Sequence, residues 1–134
     1  MKRQIIIVGL IVGLVTTTMQ ARTLEEAVAA CEKGDAGMCI GLGKDFKKRN
    51  NPQEAEKYFS KGIKVLETKC EENNPDACFS LAQLHARGDV LKENKEEAKK
   101  LFDKSLSIFQ KACDNKDEDS CMMVDQIKMH VEMM

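Results

Sequence analysis

The segment Cys31–Cys39 reads CEKGDAGMC, and its cysteine spacing returns in CEENNPDAC at Cys70–Cys78 and in CDNKDEDSC at Cys113–Cys121. Eight residues of continuous helix advance about 12 Å, whereas a disulfide needs its two Cα atoms about 4.4–6.8 Å apart. Each pair can therefore be bridged only if the chain turns back between the two cysteines. Residues that favour turns and helix N-caps, such as Asp35 and Asn74, lie inside these segments.

The three equal spacings also predict which cysteines pair. The sequence has six cysteines, which allow many connectivities in principle. Repetition of one spacing favours pairing within each segment, so that every disulfide staples two antiparallel helices near their junction. A structural zinc site is the alternative, but zinc sites favour cysteines about two to four residues apart. The predicted bridges are Cys31–Cys39, Cys70–Cys78 and Cys113–Cys121.

The segments around the cysteines repeat as well. AEKYF at Ala55–Phe59 and AKKLF at Ala98–Phe102 each begin fifteen residues before a cysteine, and they are 43 positions apart. A fixed period of about 20–50 residues is typical of solenoids. We therefore expect an all-α protein, an α/α solenoid of about three disulfide-linked antiparallel helix hairpins. The expected units are 22–50, 51–93 and 94–134.

Apolar periodicity and capping residues predict six helices within these units. Thr23 is the expected N-cap of the first helix, Pro52 suits the first turn of the third, and Gly88 suits the end of the fourth. Tyr58 and Phe109 belong to the apolar rows that should face the core. The expected helices are 23–33, 36–48, 52–72, 76–87, 94–114 and 118–132.

The first 21 residues have the pattern of a signal peptide. Lys2 and Arg3 form a positive start, and the apolar run from Ile5 to Val15 is too short to span a bilayer as a helix. We expect cleavage near Ala21, with an uncleaved membrane anchor as the alternative. Export agrees with the even number of cysteines, because disulfides persist in oxidising compartments. The expected location is therefore periplasmic or secreted, with no membrane association after cleavage.

The first junction also carries a resemblance to a known family. ACEKGDAGMCIGLG at Ala30–Gly43 and LHARGDV at Leu84–Val90 resemble Sel1-like repeats of the Helicobacter cysteine-rich protein type. The resemblance implies a solenoid related to tetratricopeptide repeats, with one disulfide in each hairpin. This sequence departs from the family in its period of 43 rather than about 36 residues. His85 also stands where the family usually has an aromatic residue.

The resemblance favours a binding function over catalysis. Members of this family are mostly interaction scaffolds, and a solenoid offers an extended concave surface. The expected partner is a protein or peptide, with a cell-wall fragment or a β-lactam as other candidate ligands. The formal net charge is −1, so the chain lacks the basic field that nucleic acid requires.

The alternative is a weak β-lactam-binding or β-lactamase-type hydrolase, a label that some family members carry. The sequence contains none of the S-x-x-K, S-D-N and K-T-G motifs of serine β-lactamases. We therefore assign no catalytic residue, metal or cofactor. His85 and Tyr58 are the candidate groove residues.

Three other features of the sequence can be interpreted. The C-terminal helix is rich in methionine, which predicts either an adaptable edge of the core or a surface for self-association or docking. The basic run from Lys44 to Arg49 lies at a helix end, where cations complement the helix dipole. The acidic run from Asp114 to Asp119 lacks the twelve-residue spacing of an EF-hand calcium loop and is interpreted as a solvated turn.

Overall fold

The computed structural model describes residues 23–134, and the predicted signal peptide at 1–21 lies outside the described residues. The described part contains helices and no strand, which confirms the predicted all-α class. Each helix bound agrees with the sequence-based expectation to within one residue. The helices are α1 (Leu24–Glu32), α2 (Ala36–Lys48), α3 (Pro52–Glu71), α4 (Pro75–Arg87), α5 (Lys95–Asp114) and α6 (Glu118–Glu132).

Consecutive helices form three hairpins, α1–α2, α3–α4 and α5–α6, and a disulfide joins the two helices of each one. The Cα–Cα distances are 4.8 Å for Cys31–Cys39, 4.7 Å for Cys70–Cys78 and 4.7 Å for Cys113–Cys121. The predicted pairing is therefore confirmed. We call these hairpins units one, two and three.

Each hairpin turns through the same backbone motif, placed at fixed positions after the first cysteine. The third residue after that cysteine has a positive φ: 92° at Gly34, 65° at Asn73 and 68° at Lys116. The next residue is the N-cap of the following helix. A left-handed residue lets the last carbonyls of one helix accept hydrogen bonds from the turn. The chain thereby reverses within the span of a single disulfide.

The N-caps are polar side chains, as the sequence pattern predicts. Thr23 and Glu26 form a reciprocal capping box at the start of α1. The Asp35 carboxylate accepts from the Met38 amide at 3.0 Å, and the Asn74 side chain accepts from the Ala77 amide at 3.0 Å. These bonds satisfy backbone donors that the helix itself leaves free.

The units stack so that each second helix packs against the first helix of the next unit. α2 packs on α3, and α4 packs on α5. The core is built largely from Leu, Phe, Ala and the cysteines themselves, and Phe102 and Ile127 are fully buried in its last third. Stacking of neighbours along the chain, with a shared core between them, is the architecture of a helical repeat protein.

Two different connectors join the units. Between α2 and α3 the chain repeats the hairpin motif, with Asn50 at φ 57° and the Asn51 side chain capping α3. Between α4 and α5 it forms a longer loop that begins at Gly88, at φ 69°. The Asn94 amide closes that loop by donating to the His85 carbonyl at 2.9 Å.

Candidate functional site

An open groove of about 650 Å³ lies between the first two hairpin turns, and we call it the junction groove. It lies between the end of α1, the C-terminal part of α3 and the starts of α2 and α4. Both α2 and α4 thus direct their N-terminal ends toward it. The residues that give the groove its chemical character are Lys33, Asp35, Leu66, Lys69, Asp76 and Ser80.

The junction groove combines an apolar wall with charges of both signs. Leu66 and Ala77 are buried and supply the apolar part. Lys69 and Asp76 are exposed on the rim, where a bound chain would meet opposite charges. A surface of this kind suits an extended peptide, whose backbone needs polar partners and whose side chains need apolar contact.

The two candidate groove residues from the sequence have separate surroundings. Tyr58 is buried, and its ring stacks on Phe46 with centroids 5.4 Å apart. His85 is half-buried and lines a different cavity of about 690 Å³ beside the α4–α5 loop. Tyr58 does not line that cavity. His85 Nδ1 is buried and has no hydrogen-bond partner within residues 23–134.

A hydrolase of the β-lactamase type would need a serine side chain as its nucleophile. Two serines are instead buried and hydrogen-bonded within the protein. Ser105 is fully buried, and its hydroxyl donates to the Pro75 carbonyl at 2.8 Å. The buried Ser120 hydroxyl donates to the Asp117 carboxylate. Ser80 is half-buried and is the serine that lines the junction groove.

Lysines tie neighbouring units together, a feature that the sequence analysis missed. Lys61 pairs with Glu32 across the boundary of the first two units. Lys104, which lies 43 positions later, donates to the Cys70 carbonyl at 2.7 Å across the next boundary. The 43-residue period was the available signal, since it aligns these two lysines. The Lys61 ammonium beside Glu32 lowers the pKa of that carboxyl.

The basic run from Lys44 to Arg49 also makes a long-range contact that the helix-dipole interpretation did not include. Lys44 forms an ion pair with the Asp89 carboxylate at 3.0 Å, and Lys47 donates to the Asp89 carbonyl at 3.1 Å. Asp89 lies in the α4–α5 loop. The Lys44 ammonium, which donates a hydrogen bond to this carboxyl, lowers the pKa of Asp89, and partial burial opposes that effect.

The methionines of α6 and of the two residues that follow it fall into two groups. Met123 and Met134 are partly buried against the core of unit three. Met122, Met129 and Met133 are 64%, 56% and 76% exposed. The core-edge interpretation fits Met123 and Met134, and for the exposed methionines the docking-surface interpretation stays a prediction.

Within residues 23–134, no group of three or more His, Cys, Asp or Glu side chains is placed to hold a metal ion. In that same part of the chain, no helix has the length and apolarity needed to cross a membrane. No protein-family model matches the sequence, and no curated protein or solved structure is significantly similar to it.

Proposed function

We propose that the chain is an exported, disulfide-stapled repeat protein of the Sel1-like type that binds a protein or peptide partner. The observation that carries the proposal is the junction groove, an open surface of about 650 Å³ framed by two stapled hairpin turns. Its walls come from two successive units. A groove of this construction is the kind of extended surface that solenoids use for recognition.

The disulfides support the proposal because they hold the groove in shape before a partner arrives. Cys31–Cys39 and Cys70–Cys78 each lie at one of the two turns that frame it. A preorganised surface loses less conformational entropy on binding, which favours affinity. Three disulfides also agree with an oxidising compartment and hence with export.

The groove chemistry supports a peptide or an extended protein segment as the ligand. Lys69 and Asp76 offer one charge of each sign at the rim, and Leu66 offers apolar contact. The starts of α2 and α4 add backbone amides and the positive ends of two helix dipoles. A segment with an apolar side chain between a cationic and an anionic residue would satisfy this arrangement.

The experiment is site-specific photo-cross-linking of the protein exported by its native host. A benzoylphenylalanine at Asp76, on the groove rim, is expected to capture one reproducible partner. The same group at Ser107, an exposed position on α5, is the matched control and should capture little. Equal capture from both positions, or no captured protein from either, would contradict the proposal.

A blocking variant makes the same test from the opposite direction. Ser80→Arg places a large side chain in the groove and is expected to remove the Asp76 cross-link, whereas Ser107→Arg should retain it. Thermal melting shows whether both variants are folded. If intact mass after exposure to a labelled penicillin revealed a covalent adduct, the β-lactam alternative would replace this proposal.

A further inference from the structure

In units one and two, one face of the second helix packs against the next unit. The outer face of α6 is the equivalent face of unit three. On α2 this face carries Ile40 and Gly43, the first and fourth residues after Cys39, and α3 covers them. On α4 the equivalent residues after Cys78 are Phe79 and Ala82, which are buried with Phe102 of α5. In both units the second helix is covered by a helix that follows it in the chain.

The same positions on α6 are uncovered by the described part of the chain. The first and fourth residues after Cys121 are Met122 and Asp125, and Met129 lies two helical turns beyond Met122 on the same side of the helix. Met122 and Met129 are 64% and 56% exposed. Met122 is therefore an exposed apolar residue at a position that is covered in both preceding units, which is typical of an interaction surface.

Acidic residues run beside these methionines and restrict what that occupant is. Glu118, Asp125 and Glu132 are spaced by seven residues, so they share one side of the helix with little drift. All three are exposed, and none has an ion-pair partner within residues 23–134. We call this surface, with Met122, Met129 and Met133, the α6 face.

The charges disfavour two occupants that the apolar stripe alone would allow. Another repeat of this type would place a phenylalanine over Asp125, because Phe59 lies directly against Gly43 at the equivalent position, and would bury a carboxylate without a partner. A second copy packed antiparallel through the same face would set one acidic row against the other. Both arrangements bring an electrostatic cost.

We propose that the α6 face docks a basic amphipathic helix of a partner protein, in the manner in which α3 covers α2. The partner's apolar side would contact Met122 and Met129, and its flanking Lys or Arg residues would pair with Asp125 and Glu132. Methionine suits this role because its flexible thioether adapts to different apolar surfaces. This inference rests on the proposed binding function but uses a different surface from the junction groove.

The test uses the disulfide-bonded protein and two synthetic helical peptides with the same leucine stripe. One peptide carries lysines beside the stripe and the other carries glutamates. Fluorescence anisotropy is expected to show at least about tenfold tighter binding of the lysine peptide at low salt, with the difference shrinking as salt screens the charges. Equal affinities for the two peptides would overturn the proposal.

Variants of α6 locate the binding. Asp125→Lys with Glu132→Lys should reverse the peptide preference, and Met129→Glu should remove binding of both peptides. The control is Glu67→Lys with Glu71→Lys, an exposed acidic pair on α3, which should leave the preference unchanged. A preference that survives reversal on α6 means that the peptide binds elsewhere and contradicts the proposal.

Two further measurements separate this inference from its alternatives. A dimer seen by sedimentation and abolished by Met129→Glu would show that a second copy occupies the α6 face, which overturns the proposed partner. Ser80→Arg, which blocks the junction groove, should leave the lysine peptide bound with unchanged affinity. If the unmodified groove captured no partner from position 76 while the protein still bound the lysine peptide, the proposed groove function alone would be refuted.

Discussion

The boundary between units one and two differs from the boundary between units two and three at equivalent positions. In the first, the Phe59 ring lies against Gly43, and Gly62 lies against Cys39 and Ile40. In the second, Ala82 takes the place of Gly43 and Ser105 that of Gly62. The first boundary therefore relies on close backbone approach, and the second on side chains that fill the space.

The second boundary also carries more aromatic packing. Phe79 and Phe102 lie with ring centroids 5.7 Å apart, and His130 meets the Phe79 ring edge-on at 5.4 Å. His130 is further held by the Gln126 carbonyl, to which its Nδ1 lies at 2.9 Å. The same repeat architecture is thus compatible with two different sets of packing residues at the boundary. Which residue a repeat position tolerates depends on the partner across the boundary rather than on the position alone.

The largest expected effect tests whether the boundaries hold the fold without the three disulfides, which lie within the units. Each disulfide closes a short loop and should contribute about 2–3 kcal/mol, mainly by restricting the unfolded chain. Since domains are stable by only about 5–15 kcal/mol, loss of all three should unfold the protein. Circular dichroism melting with and without a reductant measures the effect. An unchanged melting temperature in the reduced protein would show that the boundaries hold the fold by themselves.

The next largest effect should separate the two boundaries. Phe102→Ala removes a fully buried ring and is expected to destabilise the protein by about 3–5 kcal/mol. Phe59→Ala should fall at or below the lower end of that range, because Phe59 keeps a small exposed fraction and the adjacent Gly43 has no side chain. Urea unfolding of both variants gives the comparison. A larger loss for Phe59→Ala would reverse our ranking of the boundaries.

A smaller substitution tests the close approach at the first boundary. A Cβ at position 43 would lie 2.4 Å from Phe59 Cδ1, so Gly43→Ala should cost about 1–3 kcal/mol. Gly41 is the matched control, because it lies in the same helix and a Cβ there meets nothing within 4 Å. Gly41→Ala should stabilise the protein by about 0.5–1 kcal/mol through helix propensity. Stabilisation by both substitutions would mean that the boundary can open without loss.

The glycine contacts illustrate what the sequence could predict and what it could not. Cysteine spacing and capping residues are local signals, so they predicted the hairpins, the disulfides and the helix bounds. The sequence did not predict the role of Gly43, because its contact with Phe59 is set by packing between units. The junction groove was missed for the same reason, since its walls come from helices in two units.

The basic run at the end of α2 is a second example, in which the sequence did not predict a long-range ion pair. From sequence, Lys44 and Lys47 complement a helix dipole. In the structure they also hold the Asp89 segment of the α4–α5 loop, 42 positions beyond Lys47. Val90 and Leu91 of the same loop pack against the core of unit two. The longer α4–α5 loop therefore extends back to α2, across the boundary between units one and two. The α2–α3 turn is too short to make such a contact.

The smallest expected effect tests that tether. Lys44 lowers the pKa of Asp89 below its ordinary value of 3.8, so folding favours the ionised carboxylate. The pair therefore adds stability above that ordinary value and loses it as the pH falls through the lower pKa of the folded protein. Both side chains are about 40% exposed, so solvent screening should limit the contribution to about 0.5 kcal/mol. Asp89→Asn should cost that amount near neutral pH and almost nothing in acid.

Asp103→Asn is the control for the tether, since Asp103 is exposed and has no ion-pair partner within residues 23–134. Urea unfolding at neutral and acidic pH should show a pH-dependent difference for Asp89→Asn and little for the control. Hydrogen exchange at Val90 and Leu91 should rise with Asp89→Asn, because the loop loses its attachment to α2. If hydrogen exchange at Val90 and Leu91 stayed constant, apolar packing alone would hold the α4–α5 loop in place. The contact between Asp89 and α2 would then contribute nothing to the position of the loop.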